Sequence, residues 1–354
     1  MSLIDKLKKN STIKETSVLS ESKFFEDQEF VRTSVPAFNV ALSGSLDGGY
    51  SSGLTVIAGP SKHFKTSFTL LAIKAFLDKH KDGVVLFYDS EFGSPQSYFE
   101  SFGIDVSRVV HTPVANIEEL KFDIMKQLEE IKRGDKIFIA LDSAGNIASK
   151  KEVEDALEGK SVADMSRAKQ LKSLFRMVTP VLTIKQLPFW VINHTYQTQE
   201  MFSKTVVSGG TGIYYSANTI FVIGRQQEKD GADLVGYNFV INIEKSRFTR
   251  EKAKIPITVT HEHGINKYSG LLDMALESGH VMKPSNGWYS RVNLETGEIE
   301  DKKYRLKDTF NESFWGPVLK DKTFKDWVEK TYKVASGSIM SDTELDEVIE
   351  SIED

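Results

Sequence analysis

The sequence predicts an α/β fold: a mainly parallel central sheet with helices on both faces, antiparallel strands added along one side, a short N-terminal arm and a small C-terminal domain. Three observations predict it. Short continuous apolar runs at Leu54–Ala58, Val84–Tyr88, Ile137–Leu141 and Phe189–Ile192 read as strands buried on both faces. Helical patterns stand between them at Lys65–His80, near Gln96–Phe102 and at Ile117–Lys132, and such alternation argues for parallel crossover units. Later strands at Thr219–Ile223, Tyr237–Ile243 and Ile255–Thr260 are joined by short polar turns such as Lys229-Asp230-Gly231, which suit antiparallel pairing.

Residues 1–30 are charged and Ser-rich, with a helical pattern only over Leu3–Lys9, and read as a mobile arm before a core over 31–269. Beyond Gly270 the pattern turns helical, with Leu271–Ser278, then Gly287-Trp288-Tyr289 and an aromatic-rich stretch Phe310–Tyr332; a small C-terminal domain over 270–340 is expected. Residues 341–354 form an acidic tail of seven carboxylates and no basic group. Setting those seven aside turns the net charge of −5 into +2 for the remaining body. The tail reads either as a solvated terminus or as an electrostatic competitor for basic surfaces. The absence of cysteine excludes disulfides and thiolate metal sites. Neither a membrane-spanning run nor a signal-like N-terminus stands out, so a cytoplasmic protein without membrane partners is expected.

Directly after the first apolar run comes Gly59-Pro60-Ser61-Lys62-His63-Phe64-Lys65-Thr66-Ser67, which has the strand-loop-helix context and spacing of a phosphate-binding P-loop. Such a loop turns backbone amides toward nucleotide phosphates, Lys65 reaches the outer phosphates, and Thr66 offers its hydroxyl to Mg²⁺. Phe64 stands where a second Gly is expected. Three further strands end in polar groups, Asp89-Ser90-Glu91, Asp142-Ser143 and Asn193-His194, at the edge where open α/β sheets bind ligands. A carboxylate such as Asp142 at a strand end suits the water shell of a metal.

Residues 164–186 read as a helix with Leu171, Leu174, Phe175, Val178 and Leu182 on its apolar face and Lys169, Lys172 and Arg176 on another. The polar stretch Ser149–Val162 carries Lys150, Lys151 and Lys160, and Thr195–Gly212 is a long Gly/Ser/Thr-rich loop with Met201, Phe202 and Lys204 embedded. Cations beside exposed apolar side chains are what sequence-tolerant single-strand binding requires.

In combination these residues are similar to the RecA-like strand-exchange recombinases, and within them to the branch found in T-even bacteriophages. The similarity runs from about Phe24 to Trp288, anchored on Gly59 to Thr66, Phe87-Tyr88-Asp89-Ser90-Glu91, Leu141-Asp142-Ser143, Asn193-His194 and Gly209-Gly210. The resemblance implies a RecA-like P-loop ATPase core that uses ATP and Mg²⁺. Glu91 then matches the carboxylate that orients the attacking water, Tyr98 the aromatic on adenine, and Asp142 the metal-linked acid. Lys245 and Arg247 match cations inserted into a neighbouring subunit's ATP site. Residues 149–165 and 195–210, the latter with Gly209 and Gly210, match two DNA-contacting loops, and Arg167 and Arg176 match basic DNA contacts. The partners implied are single- and double-stranded DNA, further copies in a helical filament, and single-strand-binding and mediator proteins. His194 stands where bacterial RecA has Gln. On the residues alone, Tyr98 reads as core, Lys245 and Arg247 as a solvated strand face, and His194 as a structural histidine. A ring-forming motor on the same core, or a non-catalytic DNA-binding mediator prompted by Phe64, would share much of this pattern.

Overall fold

The computed structural model describes residues 1–13, 15–22, 29–160, 166–198, 204–230, 233–294 and 296–335. The expectations placed on Met201, Phe202 and the acidic tail lie outside these residues. The strands are, in chain order, β1 (Gly53–Ala58), β2 (Val84–Asp89), β3 (Val109–Pro113), β4 (Ile137–Asp142), β5 (Pro188–Asn193), β6 (Thr195–Gln197), β7 (Thr205–Val207), β8 (Thr219–Asp230), β9 (Asp233–Ser246), β10 (Lys254–Thr260), β11 (Gly264–Ile265), β12 (Val281–Ser285), β13 (Trp288–Arg291) and β14 (Tyr304–Arg305). A nine-stranded sheet has the order β11-β10-β9-β8-β1-β5-β4-β2-β3. The run from β8 to β3 is parallel, and β9, β10 and β11 extend it antiparallel beyond β8.

The apolar runs become central strands because alternate side chains feed two cores. Trp190, Phe138, Ala140, Val85 and Phe87 point into one, with the helices Pro36–Ser43 and Lys65–Lys79. Leu54, Val56, Phe189, Val191, Ile139 and Leu141 point into the other, with the helices Ile117–Glu130 and Ser166–Lys185. The helix Ile117–Glu130 starts where the Asn116 side chain accepts from the Glu119 amide, and it buries Ile117, Leu120, Ile124 and Leu128 at helical spacing. Losing such a cap costs about 1 kcal/mol. The helix Ser166–Lys185 buries the five apolar residues its pattern singles out. Among the described residues no helix is long and apolar enough to cross a membrane.

Three expectations change. The helical reading beyond Gly270 holds for Leu271–Glu277, but β12, β13 and β14 then form an antiparallel sheet. Asn286-Gly287 is its two-residue hairpin turn, since Ser285 pairs with Trp288, and Asn-Gly is the dipeptide such turns favour. The small C-terminal domain is present as expected, and its helices Glu312–Lys320 and Lys322–Tyr332 bury Phe314, Trp315, Phe324 and Val328 in the same cluster as the first core. The polar stretch after Ser149 contains a helix, Lys150–Leu157, whose capping box joins Ser149 and Glu152 and which buries no side chain. The long loop after β5 contains the hairpin of β6 and β7.

Candidate nucleotide site and the surface beside it

β1, β2, β4 and β5 are parallel neighbours, so the groups at their carboxyl ends converge on one edge. The loop after β1 occupies the middle of that edge. Lys62 and Phe64 both have φ of 60°, and this left-handed backbone turns neighbouring amides to one side, the geometry of an anion-binding concavity. Left-handed backbone at a non-Gly residue costs on the order of 1–3 kcal/mol. At Phe64 the ring works against it: it stacks on Phe239 at 4.8 Å and meets Phe68 edge-on at 5.5 Å. Full burial of such a ring contributes about 1.5–3 kcal/mol, and the partly buried Phe64 recovers a share of it, so packing offsets part of the strain. Arg225, on β8, donates to the Lys62 carbonyl at 3.3 Å while lying over the Tyr237 ring, and so braces the loop from outside. The sequence marks Arg225 with no motif.

Lys65 is buried, and its Nζ lies across the loop, 2.8 Å from the Pro60 carbonyl. Burial holds the ammonium below its ordinary pKa, with Glu91 and Asp142 opposing that shift. His63 donates from Nδ1 to the Ser61 carbonyl at 2.9 Å. The Tyr98 hydroxyl meets the Ser67 hydroxyl, which sets this ring beside the first turn of the helix Lys65–Lys79.

Thr66 Oγ1 donates to Asp142 Oδ2 at 2.8 Å. The other carboxylate oxygen of Asp142 is buried and has no hydrogen-bond partner. Burial, reinforced by Glu91 and Asp89, pushes Asp142 up to about 7 against the opposing pull of Thr66 and Lys65. A hydroxyl and an unsatisfied buried carboxylate beside a phosphate-shaped loop fit a magnesium ion bound through oxygen and water.

Glu91 Oε1 is shared by two donors: the Ser143 hydroxyl, and His194 Nε2 at 2.9 Å. A carboxylate only accepts, so the His194 Nε2 carries the proton. Gly145 makes the His194 position possible, because a Cβ there would lie 2.2 Å from His194 Cδ2. Asn193 accepts from the His194 amide and donates to the Ser208 carbonyl at 2.7 Å, which ties the end of β5 to the end of the β6–β7 hairpin. Gly209 and Gly210, with φ of 92° and 77°, then turn the chain into the helix Thr211–Ser216. Gly145 is not among the sequence candidates; its position just past the strand-end pair Asp142-Ser143 is the signal for it.

The basic candidates divide. Lys150, Lys151, Lys172, Arg176 and Lys204 are exposed. Arg167 is not free for a nucleic-acid phosphate: its guanidinium donates to the carbonyls of Ala144, Gly145 and Ile147 at 2.7–2.9 Å, clamping the loop after β4. Lys245 donates to the Tyr214 carbonyl at 2.7 Å and lies over the Tyr214 ring. Arg247 is exposed and follows the last residue of β9, so strand alternation does not set its direction as expected. Both sit near Thr219, at the amino-terminal end of β8, whereas the P-loop follows the carboxyl end of its parallel neighbour β1.

Comparison with known proteins identifies the family. Residues 3–266 match the RecA N-terminal domain family. Residues 268–328 match the C-terminal domain of the bacteriophage T4 recombination and repair protein. The recombination and repair protein of Enterobacteria phage T4 is 52% identical over 355 residues, covering 99% of this chain and 91% of that protein. Protein RecA of Streptomyces coelicolor is 26% identical over 80% of this chain and 74% of its own length. Protein RecA of Bacteroides thetaiotaomicron is 27% identical over 78% and 82%. With a family match that spans most of its length and a relative alike from end to end, the chain belongs to the RecA family.

Proposed function

We propose that this chain is an ATP-dependent recombinase that assembles head to tail as a helical filament on single-stranded DNA and pairs that strand with a homologous duplex. The observation that carries the reading is the hydrogen bond between Glu91 and His194. It joins a carboxylate beside the P-loop to the residue from which the β6–β7 hairpin departs, so a nucleotide and a DNA strand would bear on one pair of side chains. The likeness to a phage recombination and repair protein supports the same reading.

Within that reading each residue has a physical task. The P-loop amides and Lys65 hold the outer phosphates and neutralise charge that spreads over the transferred phosphoryl group. Thr66 and Asp142 would hold Mg²⁺, which when bound would supply positive charge to the phosphate oxygens. Glu91, fixed by Ser143 and His194, orients the attacking water and accepts its proton. Tyr98 lines the adenine side of the loop through its contact with Ser67. Lys245 and Arg247 lie toward the sheet end remote from their own P-loop, which suits donation to the next subunit. A head-to-tail contact of this kind repeats into an open helix. Lys150 and Lys151 open the helix Lys150–Leu157, Lys172 and Arg176 lie on the helix Ser166–Lys185, and Lys204 adjoins β7; all five are exposed and meet the phosphate backbone without reading base sequence.

The test combines electron microscopy with ATP turnover, each with and without single-stranded DNA. Helical filaments, DNA-stimulated turnover and joint-molecule formation with a homologous duplex are expected. Closed rings would assign the chain to the motor class, and DNA binding with no turnover would assign it to the mediators.

A further inference from the structure

Asp89 stands at the end of β2, directly across from Asp142 on β4, and is buried. Both of its oxygens are engaged. Oδ1 accepts from the amides of Glu91 at 3.0 Å and Phe92 at 2.7 Å. Oδ2 lies 3.0 Å from His111 Nε2. Since the carboxylate only accepts, His111 donates from Nε2. His111 is on β3, paired in register with Phe87 and stacked on its ring, so it shares the face of Asp89 two residues further along β2. Its side chain is 47% exposed, whereas that of Asp89 is 4% exposed.

The amides that Asp89 holds belong to the residue whose carboxylate orients water in the proposed mechanism and to the residue after it. Phe92 has φ of 56°, so the chain turns sharply at this point, and two charge-assisted bonds fix that turn. The Glu91 side chain is fixed separately, from the far side, by Ser143 and His194. Two independent anchors, one on backbone and one on side chain, therefore define where the Glu91 carboxylate points. His111 is the middle residue of β3, an edge strand exposed along much of its length, where the ring stacks on Phe87 and places Nε2 on the Asp89 carboxylate.

We infer that Asp89 and His111 are positioning residues for phosphoryl transfer, a buried carboxylate and its surface clamp that hold the Glu91–Phe92 turn so that Glu91 meets the water at the required angle. This rests on the assignment of Glu91 above. It also sets Asp89 apart from a substitute base: the carboxylate is buried, and three donors already occupy most of its acceptor sites.

The test is a double-mutant cycle on DNA-stimulated ATP turnover, using Asp89→Ala, His111→Ala and His111→Gln, each alone and combined with Glu91→Gln. Misplacement of a catalytic group by a fraction of an ångström predicts a fall in kcat of about tenfold for Asp89→Ala, with KM for ATP nearly unchanged. His111→Ala falls less, about threefold, because it removes one of three hydrogen bonds on the carboxylate, and His111→Gln recovers the rate because its amide N–H can still donate. With Glu91→Gln already present, Asp89→Ala should lower the residual rate by no more than about twofold, since residues acting through one another are not additive. Equal losses with and without Glu91→Gln, or a raised KM with kcat intact, would overturn the inference while leaving the role of Glu91 standing. Full turnover by Glu91→Gln alone overturns both. Should Asp89→Ala fail to bind nucleotide or to fold, the surface His111 variants complete the same cycle and decide between the same outcomes.

Discussion

His194 Nε2 donates to Glu91 Oε1 across 2.9 Å, at the point where β5 passes the chain to the β6–β7 hairpin. The contact depends on Gly145 lying under the imidazole with no side chain of its own. A strand bound to the hairpin that shifts His194 would therefore change what holds Glu91. Gly145→Ala is expected to bind ATP but to lose most of the stimulation that single-stranded DNA gives to turnover. Turnover measured over a DNA titration decides it, and full stimulation would separate the hairpin from Glu91.

Glu91→Gln should bind ATP and DNA and hydrolyse poorly, by about a factor of 10²–10⁴, because the amide keeps the shape and loses the charge that aligns water. Filaments of this variant should outlast those of the parent when excess ATP is removed. Rapid disassembly would assign the turnover signal elsewhere.

Lys65→Ala removes the ammonium from the mouth of the loop and is expected to lower ATP turnover by at least about tenfold with the fold intact. Circular dichroism confirms the fold, and a folded variant with parental turnover would displace the site from this loop.

The Lys245→Ala/Arg247→Ala protein and Lys65→Ala should each hydrolyse ATP poorly alone. If the cations act on a neighbour, some junctions in a mixture unite an intact P-loop with intact cations. Turnover of the mixture above the sum of its parents, rising as DNA drives co-assembly, is the expected result. A mixture that merely averages two weak parents, with co-assembly demonstrated, argues for cations that act within their own subunit or not at all.

Asp142 gives a pH dependence of definite sign. Its carboxyl is raised by burial to about 7. Between about 4, the ordinary value for Asp, and 7, the native state holds a proton that the unfolded chain has lost. Stability from this group is therefore greatest at the acid end, declines as pH rises through that window and is level above it. Metal-free thermal unfolding of the parent compared with Asp142→Asn isolates the slope. Binding of Mg²⁺ to the carboxylate should release the same proton below pH 7, which calorimetry in two buffers of different ionisation enthalpy detects.

Much of the fold is legible in the sequence because the central strands are buried on both faces and leave uninterrupted apolar runs, while the surrounding helices keep their 3.6-residue spacing. The P-loop is legible for a related reason: its residues must be contiguous. What escapes sequence reading is contact across long separations. Arg167 matches a DNA contact through the family resemblance, yet its guanidinium is committed to three carbonyls in the loop after β4. The Asn286-Gly287 turn was visible in principle, but the aromatic residues around it resemble a helix face as readily as a hairpin. Asp89 reads as one more acid at a strand end until its three donors are seen together.

Phe64 and Phe239 are 175 positions apart in the chain, yet their rings are stacked at 4.8 Å and 17°. Strain at one position is offset by surface at the other, so neither residue can change alone without cost. Replacing Phe64 with Gly relieves the backbone but leaves Phe239 facing a void, and replacing Phe239 with a small residue leaves the left-handed Phe64 unsupported. Across relatives of this chain, a Gly at the first position should accompany a smaller or polar residue at the second, and aromatic residues should appear at both positions together.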